Sequence, residues 1–312
     1  MGNGYTHHAS KHRLGLSTQS LFIPSRHAER PQQDLRLTGL TPIFKLTTVC
    51  YLLIGNISAL ISADSTEPLV NARIRVYLPD GHLSNRYPHK NSFSGPRQLT
   101  PSEVLNKQER LLAETALDHH GNFSLSWEQL HLFTEPLELD ICLQGMPEEA
   151  GDRMETHFHL STLVPQWKHS MQQYVAAYAY VIPVESWAQI RASYGTWVIA
   201  GIVRRTQDYE GQSQLRVEAY NAGNHRMLAC SSTDDRGRYQ IRFSRKQLSG
   251  RQLLGPDVYF KVYRDKRLVW EEHAEVATMP GRRAIDACSV INITMQGGIV
   301  KKATRWLSRL VG

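Results

Sequence analysis

Two stretches place acidic and imidazole side chains immediately before a glycine. They are LDHHGNF, with Asp118, His119 and His120, and TDDRGRY, with Asp234 and Asp235. Carboxylates and imidazoles clustered in this way are the donors of a metal centre or of an acid–base pair. The same residues also suit a hairpin turn, in which an Asp bonds its own backbone and a Gly takes positive φ. A second candidate is His157-Phe158-His159. Alternate residues of a strand share a face, so both imidazoles could reach one metal. The competing reading is two histidines on the solvent-facing side of a strand. His7, His8 and His12 could hold a metal adventitiously, but in a polar, flexible tail they read as incidental. Cys50, Cys142, Cys230 and Cys288 are far apart and show no CxxC pair, which removes the usual signal for zinc. In apolar runs such as LDICL and MLACS they read as buried reduced thiols, with a bridge such as Cys142–Cys230 left open. No HExxH, GxSxG or P-loop is present.

An internal repeat must position these residues. LAETALDHHGNFSLSW from Leu112 and LACSSTDDRGRYQIRF from Leu228 align without gaps, pairing Asp118 with Asp234, Gly121 with Gly237 and Phe123 with Tyr239. Upstream, LLIGNISAL falls on WVIAGIVRR, with Gly55 under Gly201, and ARIRVYLPDG falls on SQLRVEAYNAG. Downstream, LELDICL falls on DVYFKVY. Of DHHG only the Asp and the Gly recur; His119-His120 becomes Asp235-Arg236. A reused active site would keep its ligands, so the hairpin turn is the stronger reading.

RIRVYL, YQIRF and VYFKVY alternate apolar and polar residues, and Gly, Pro, Asn and Asp separate the short runs. The fold class expected is all-β, two tandem β-sandwiches. The run at 43–63, IFKLTTVCYLLIGNISALISA, has the look of a membrane span or signal core, but the repeat needs it as a strand. The expected organisation is a flexible basic tail over 1–42, a first sandwich over 43–184 and a linker helix over 185–195. A second sandwich over 196–296 and a basic amphipathic helix over 297–312 follow. The first sandwich carries a long polar loop from Gly81, closed by a short helix in TPSEVLNKQER. There Thr100 caps, Pro101 takes the first helical position and Glu103 completes a capping box.

The charge is placed unevenly. Residues 1–40 carry five basic and two acidic side chains, and residues 299–312 carry four basic and none acidic. The whole net charge of +7 therefore sits at the ends, and residues 41–298 are neutral. A nucleic-acid-binding domain carries its charge on the folded body, so nucleic acid is not an expected partner. In GGIVKKATRWLSRLVG, Ile299, Ala303, Trp306 and Leu310 step along one helical face, opposite Lys301, Lys302, Arg305 and Arg309. Ile299, Lys301, Lys302, Arg305, Trp306, Arg309 and Leu310 are thus the expected docking residues, for an acidic groove on a partner protein or an anionic membrane surface.

STEPLVNARIRVYL and STDDRGRYQIRFS, with the strand DVYFKVYRDKRLVWEE, resemble the transthyretin-like, or carboxypeptidase regulatory-like, β-sandwich. The second copy is similar to accessory modules of bacterial toxin complexes and contractile injection particles. The resemblance implies a non-enzymatic structural or adaptor protein that binds other subunits of a large assembly, without a cofactor. The expected localisation is synthesis in the cytoplasm without a standard signal peptide, followed by association with the particle or secretion. One alternative is an exported surface-binding module for carbohydrate or host protein. Another is a dioxygenase-like enzyme, since intradiol dioxygenases of related fold bind iron through two tyrosines and a His-x-His pair. His157 and His159 fit that pair, but no tyrosine lies between Tyr87 and Tyr174 to complete the set. Hydroxyisourate hydrolases end in a Tyr-Arg-Gly-Ser-type tail, and this chain ends RWLSRLVG.

Overall fold

The computed structural model describes residues 49–79, 95–129, 135–148, 155–248 and 255–296. The N-terminal tail, most of the polar loop, His7, His8 and His12, and all the expected docking residues from Ile299 to Leu310 lie outside the described residues. The protein is all-β. In chain order the elements of the first half are β1 (Val49–Ser62), β2 (Ser65–Pro68), β3 (Ala72–Tyr77), β4 (Arg97–Gln98), α1 (Pro101–Lys107), β5 (Leu111–Ala116), β6 (Asn122–Gln129), β7 (Leu137–Leu143), β8 (Thr156–Leu163), β9 (Lys168–Ser170) and β10 (Gln173–Ile182). Helix α2 (Val184–Tyr194) leads into β11 (Thr196–Arg205), β12 (Arg216–Asn221), β13 (Met227–Ser232), β14 (Arg238–Ser244), β15 (Val258–Arg264), β16 (Arg267–Glu271), β17 (Cys288–Val290) and β18 (Ile293–Met295).

Each half is a sandwich with the same frame. In the first, β1 pairs antiparallel with β6 and then β2 along one side, and parallel with β10 along the other. It faces a sheet ordered β4-β8-β7-β3-β5. In the second, β11 pairs antiparallel with β14 and parallel with β17 and then β18, and faces β13-β12-β15-β16. Alternation builds both cores: Tyr51, Leu53, Ile57 and Ala59 of β1 and Ile74 and Val76 of β3 point into the first, and Trp197, Ile199 and Val203 of β11 into the second. The apolar run at 43–63 is thus a central strand from Val49 onward, and among the described residues no helix is long and apolar enough to cross a membrane.

The two DxxG stretches are hairpin turns, matched bond for bond. Asp118 Oδ1 accepts the backbone N–H groups of His120 and Asn122, both at 2.8 Å. Asp234 Oδ1 accepts those of Arg236 and Arg238 at 2.9 and 2.7 Å. Gly121 and Gly237 take φ of 77° and 75°. His119, His120 and Asp235 project into solvent. The backbone bond from Asn122 holds the Asp118 carboxyl below its ordinary range; the carboxylate is committed to its own turn.

All four cysteines are free. Cys142 is buried, but Cys230 is exposed, which corrects the expectation of a buried thiol there. The cause is a bulge: between the pairs Ala219↔Ala229 and Tyr220↔Met227 the register shifts, so Leu228 and Ala229 both serve the core and Cys230 turns outward.

Helix α1 carries the cap that its sequence announces. The Thr100 hydroxyl accepts the Glu103 N–H, and Glu103 Oε2 accepts the Thr100 N–H at 2.8 Å. That backbone bond first, and Arg97 second, lower the Glu103 carboxyl to about 2. A depressed carboxyl stabilises the fold above its unfolded-state value and loses that contribution as pH falls toward the folded one. We expect the N-terminal turn of α1 to loosen between about pH 4.5 and 2. Amide exchange of Glu103 and Val104 measures it, and Glu103→Gln should remove the pH dependence; exchange that is flat over this window refutes the cap's role.

At the junction, α2 closes the first core with Trp187, Ile190 and Tyr194 and ends at Gly195, whose φ of 65° turns the chain into β11. Ile61 of β1 packs on Val198 and Ala200 of β11. Beside them lies a group of four charges, three of them buried and the fourth, Arg242, 36% exposed. Arg191 Nη1 meets Glu67 Oε1 at 3.0 Å and its Nη2 meets Glu148 Oε1 at 3.0 Å. Arg242 of the second sandwich reaches Glu67 Oε2 at 3.0 Å. The Trp187 indole N–H also donates to Glu67.

Candidate functional site

Of the titratable side chains that the sequence singled out, His157, His159 and Cys142 meet on the outer face of the β4-β8-β7-β3-β5 sheet of the first sandwich, whereas those of the two DxxG turns do not. Alternation in LELDICL sends Leu137, Leu139, Ile141 and Leu143 into the core and Glu138, Asp140 and Cys142 outward. In THFHLSTL, Phe158 and Leu160 go inward and His157 and His159 outward. β3 adds Arg73, Arg75 and Tyr77 on the same face through its register with β7.

Outward does not mean solvent-facing here, which corrects the blander reading of the two histidines. Asp140 is 1% exposed and Lys107, at the end of α1, 8%. A carboxylate this deep requires a paired cation. Lys107 Nζ lies 2.9 and 2.8 Å from the two Asp140 oxygens and 2.9 Å from Glu138 Oε2. It also stands 5.2 Å above the Tyr77 ring. Burial, then the nearby Asp140 charge, push the Tyr77 hydroxyl up to about 12.

The two imidazoles turn to different partners. His159 Nδ1 contacts Asp140 Oδ1 at 2.8 Å. His157 Nδ1 faces Arg75 Nη1 at 3.4 Å, and its Nε2 lies 4.0 Å from Cys142 Sγ and 3.9 Å from Glu155 Oε2. Burial, reinforced by Arg75, lowers the His157 pKa, so the ring is neutral at pH 7. The Cys142 thiol donates to Glu155 Oε2 at 3.2 Å. Burial first, and Glu155 second, push that thiol up to about 12. Among the described residues, one group of three or more His, Cys, Asp or Glu side chains has metal-holding spacing: Cys142, Glu155 and His157. His159 is not in it, so the His-x-His pair does not form one ligand set. Sequence reading missed Asp140, Lys107 and Glu155. Nothing in LELDICL sets Asp140 apart from Glu138 two residues before it; its cation, Lys107, lies 33 residues away.

No protein-family model matches the chain, and no curated protein matches it. Solved structures with some likeness include the Bacillus anthracis TIE protein, 8% identical over 79% of this chain and 34% of that one, with a TM-score of 0.24. This chain therefore spans about a third of that protein's length. The shaft pilin SpaA of Lactobacillus rhamnosus GG is 9% identical, over 81% of this chain and 100% of that one, at a TM-score of 0.24. A 9R-lipoxygenase from Cyanothece is 14% identical over 44% of this chain and 17% of that one, at 0.25. At such TM-scores the fold rests on the strands and cores described above.

Proposed function

We propose that this chain is a non-enzymatic structural or adaptor protein, a rigid two-sandwich module that serves as a subunit of a larger assembly. The observation that carries this reading is the junction. Glu67 and Glu148 of the first sandwich, Arg191 of α2 and Arg242 of the second sandwich form one charge-balanced cluster, with Arg191 1% exposed. A linker meant to flex would expose such charges to water; buried and paired, they hold one spacing and angle between two binding bodies. The edge strands β9 and β16 offer backbone donors and acceptors for β-augmentation by a partner. On the outer face of the second sandwich the half-buried Tyr220 stacks at 5.3 Å on Tyr259, which is only 5% exposed, and Lys261 Nζ stands 5.1 Å above Tyr220; of the two rings, Tyr220 is the one a partner can reach.

The transthyretin-like resemblance, and a setting in a contractile injection or toxin-delivery particle, belong to the same proposal and rest on the sequence motifs. Residues 299–312 are its proposed anchor. Deleting them is expected to leave the melting temperature of the body unchanged while abolishing co-sedimentation with the assembly, or with anionic vesicles if the anchor meets lipid. Full retention of both after the deletion rejects the anchor.

A further inference from the structure

We infer that Cys142, Glu155 and His157 form a binding site for a divalent cation of the zinc class, with a fourth coordination position open to solvent. The donors are a sulfur, an imidazole nitrogen and a carboxylate oxygen, the set that zinc accepts. Tetrahedral zinc with ordinary bond lengths places such donors about 3.4–3.6 Å apart. The three separations here, 3.2, 4.0 and 3.9 Å, bracket that value, so shifts of a few tenths of an ångström complete the geometry.

The frame is rigid where a site needs it to be. Cys142 and His157 are directly opposed across β7 and β8, and Glu155 stands one residue before β8 begins. Two ligands thus ride on paired strands, the most reproducible support a fold provides. The third, with a side chain 42% exposed, leaves an entry path and room for a water as fourth ligand. Gln144 Nε2 donates to the other Glu155 oxygen at 3.2 Å, the orienting contact expected around a ligating carboxylate. Arg73 and Arg75 are the opposing features; both are paired to the one Glu114 carboxylate, at 3.4 and 2.8 Å, which offsets part of their charge.

Binding is a proton-for-metal exchange. In the metal-free state the thiol hydrogen bridges Cys142 Sγ to Glu155 Oε2. The cation takes that place: sulfur–metal, nitrogen–metal and oxygen–metal bonds form, the S–H bond breaks and its proton goes to solvent. In the metal-free state His157 Nδ1 accepts from Arg75 and the ring proton is on Nε2. On binding, that proton passes through solvent to Nδ1, Nε2 takes the metal, and Arg75, which can no longer donate to Nδ1, turns to Glu114. No electron is transferred.

The test is a Co²⁺ titration of the full chain in a background where His7, His8 and His12 are alanine, so that the N-terminal cluster cannot compete. One equivalent of cobalt should produce tetrahedral d–d absorption and a thiolate-to-cobalt charge-transfer band, both abolished by added Zn²⁺. Cys142→Ser should remove the band, while Cys230→Ser, at an exposed thiol, should leave it. Glu155→Gln should weaken binding by at least the roughly ten- to hundred-fold typical of losing even an outer-shell partner. A folded chain with no charge-transfer band, or a band that survives Cys142→Ser, overturns the site. If Cys142→Ser fails to fold, Glu155→Gln decides: unchanged cobalt affinity overturns the site as well.

Discussion

Replacing Arg191 by methionine is expected to destabilise the protein by about 3–5 kcal/mol, the range for breaking a buried ion pair from one side. Arg191 is 1% exposed and touches Glu67, Glu148 and the Trp197 carbonyl. Its removal leaves two carboxylates of the first sandwich, 5% and 8% exposed, side by side with Arg242 as their remaining cation. Arg242 is itself 36% exposed and reaches Glu67 at 3.0 Å but Glu148 only at 3.7 Å, through the same Nε. The loss should also be visible as a change of cooperativity. The wild type should unfold in urea in a single transition, because α2 belongs to the first core and its arginine to the junction. Arg191→Met should split that transition in two, one per sandwich. Arg242→Ala, at the wetter end of the cluster, should cost about 1 kcal/mol and leave one transition. Equal effects of the two substitutions, or a single unshifted transition for Arg191→Met, would count against a junction that works as a lock.

The second large effect concerns a pair of glycines. Gly55→Ala and Gly201→Ala should each cost about 3 kcal/mol, the upper part of the overpacking range, because the obstacle is backbone. A Cβ on Gly55 would lie 2.0 Å from the Tyr178 carbonyl oxygen of β10 and 2.6 Å from the Phe123 ring. A Cβ on Gly201 would lie 1.9 Å from the Ile291 carbonyl oxygen and 2.9 Å from the Tyr239 ring. Both glycines occupy inward positions of the first strand, and the aromatic ring comes from the residue directly opposite: Gly55↔Phe123 and Gly201↔Tyr239. An aromatic laid over a strand glycine fills the space that the missing side chain vacates. In the second copy the Tyr239 hydroxyl adds a bond to the Ile291 carbonyl at 2.6 Å. Urea denaturation of the two single variants checks the figure; a loss below about 1 kcal/mol in either would show that the strands separate more easily than this packing allows.

These glycines mark the limit of sequence reading. Their alignment was legible, as were the DxxG turns and the capping box of α1, because turn, cap and alternation are local chemistry confined to a few neighbouring residues. The reason for the glycines was not legible, because the carbonyl they make room for lies far along the chain: on β10, 123 residues on, for Gly55, and between β17 and β18, 90 residues on, for Gly201. The candidate site divides in the same way. That His157, His159, Asp140 and Cys142 leave the core follows from period-two alternation. That Lys107 at the end of α1 is spent on Asp140, and that the two histidines part company, does not.

By itself, then, the sequence determined an all-β chain built on a repeated strand–hairpin–strand frame, with polar turns that close hairpins, and a neutral body between basic ends. Those properties depend on spacing along the chain. The tertiary structure alone decided which outward-facing charges are buried. Glu67 and Arg242, 175 residues apart, become partners only when two sandwiches meet. Cys142, Glu155 and His157 become one cluster only when β7 pairs with β8 in one register. Burial and pairing of charge depend on what the rest of the fold places above a strand, and no local pattern encodes that.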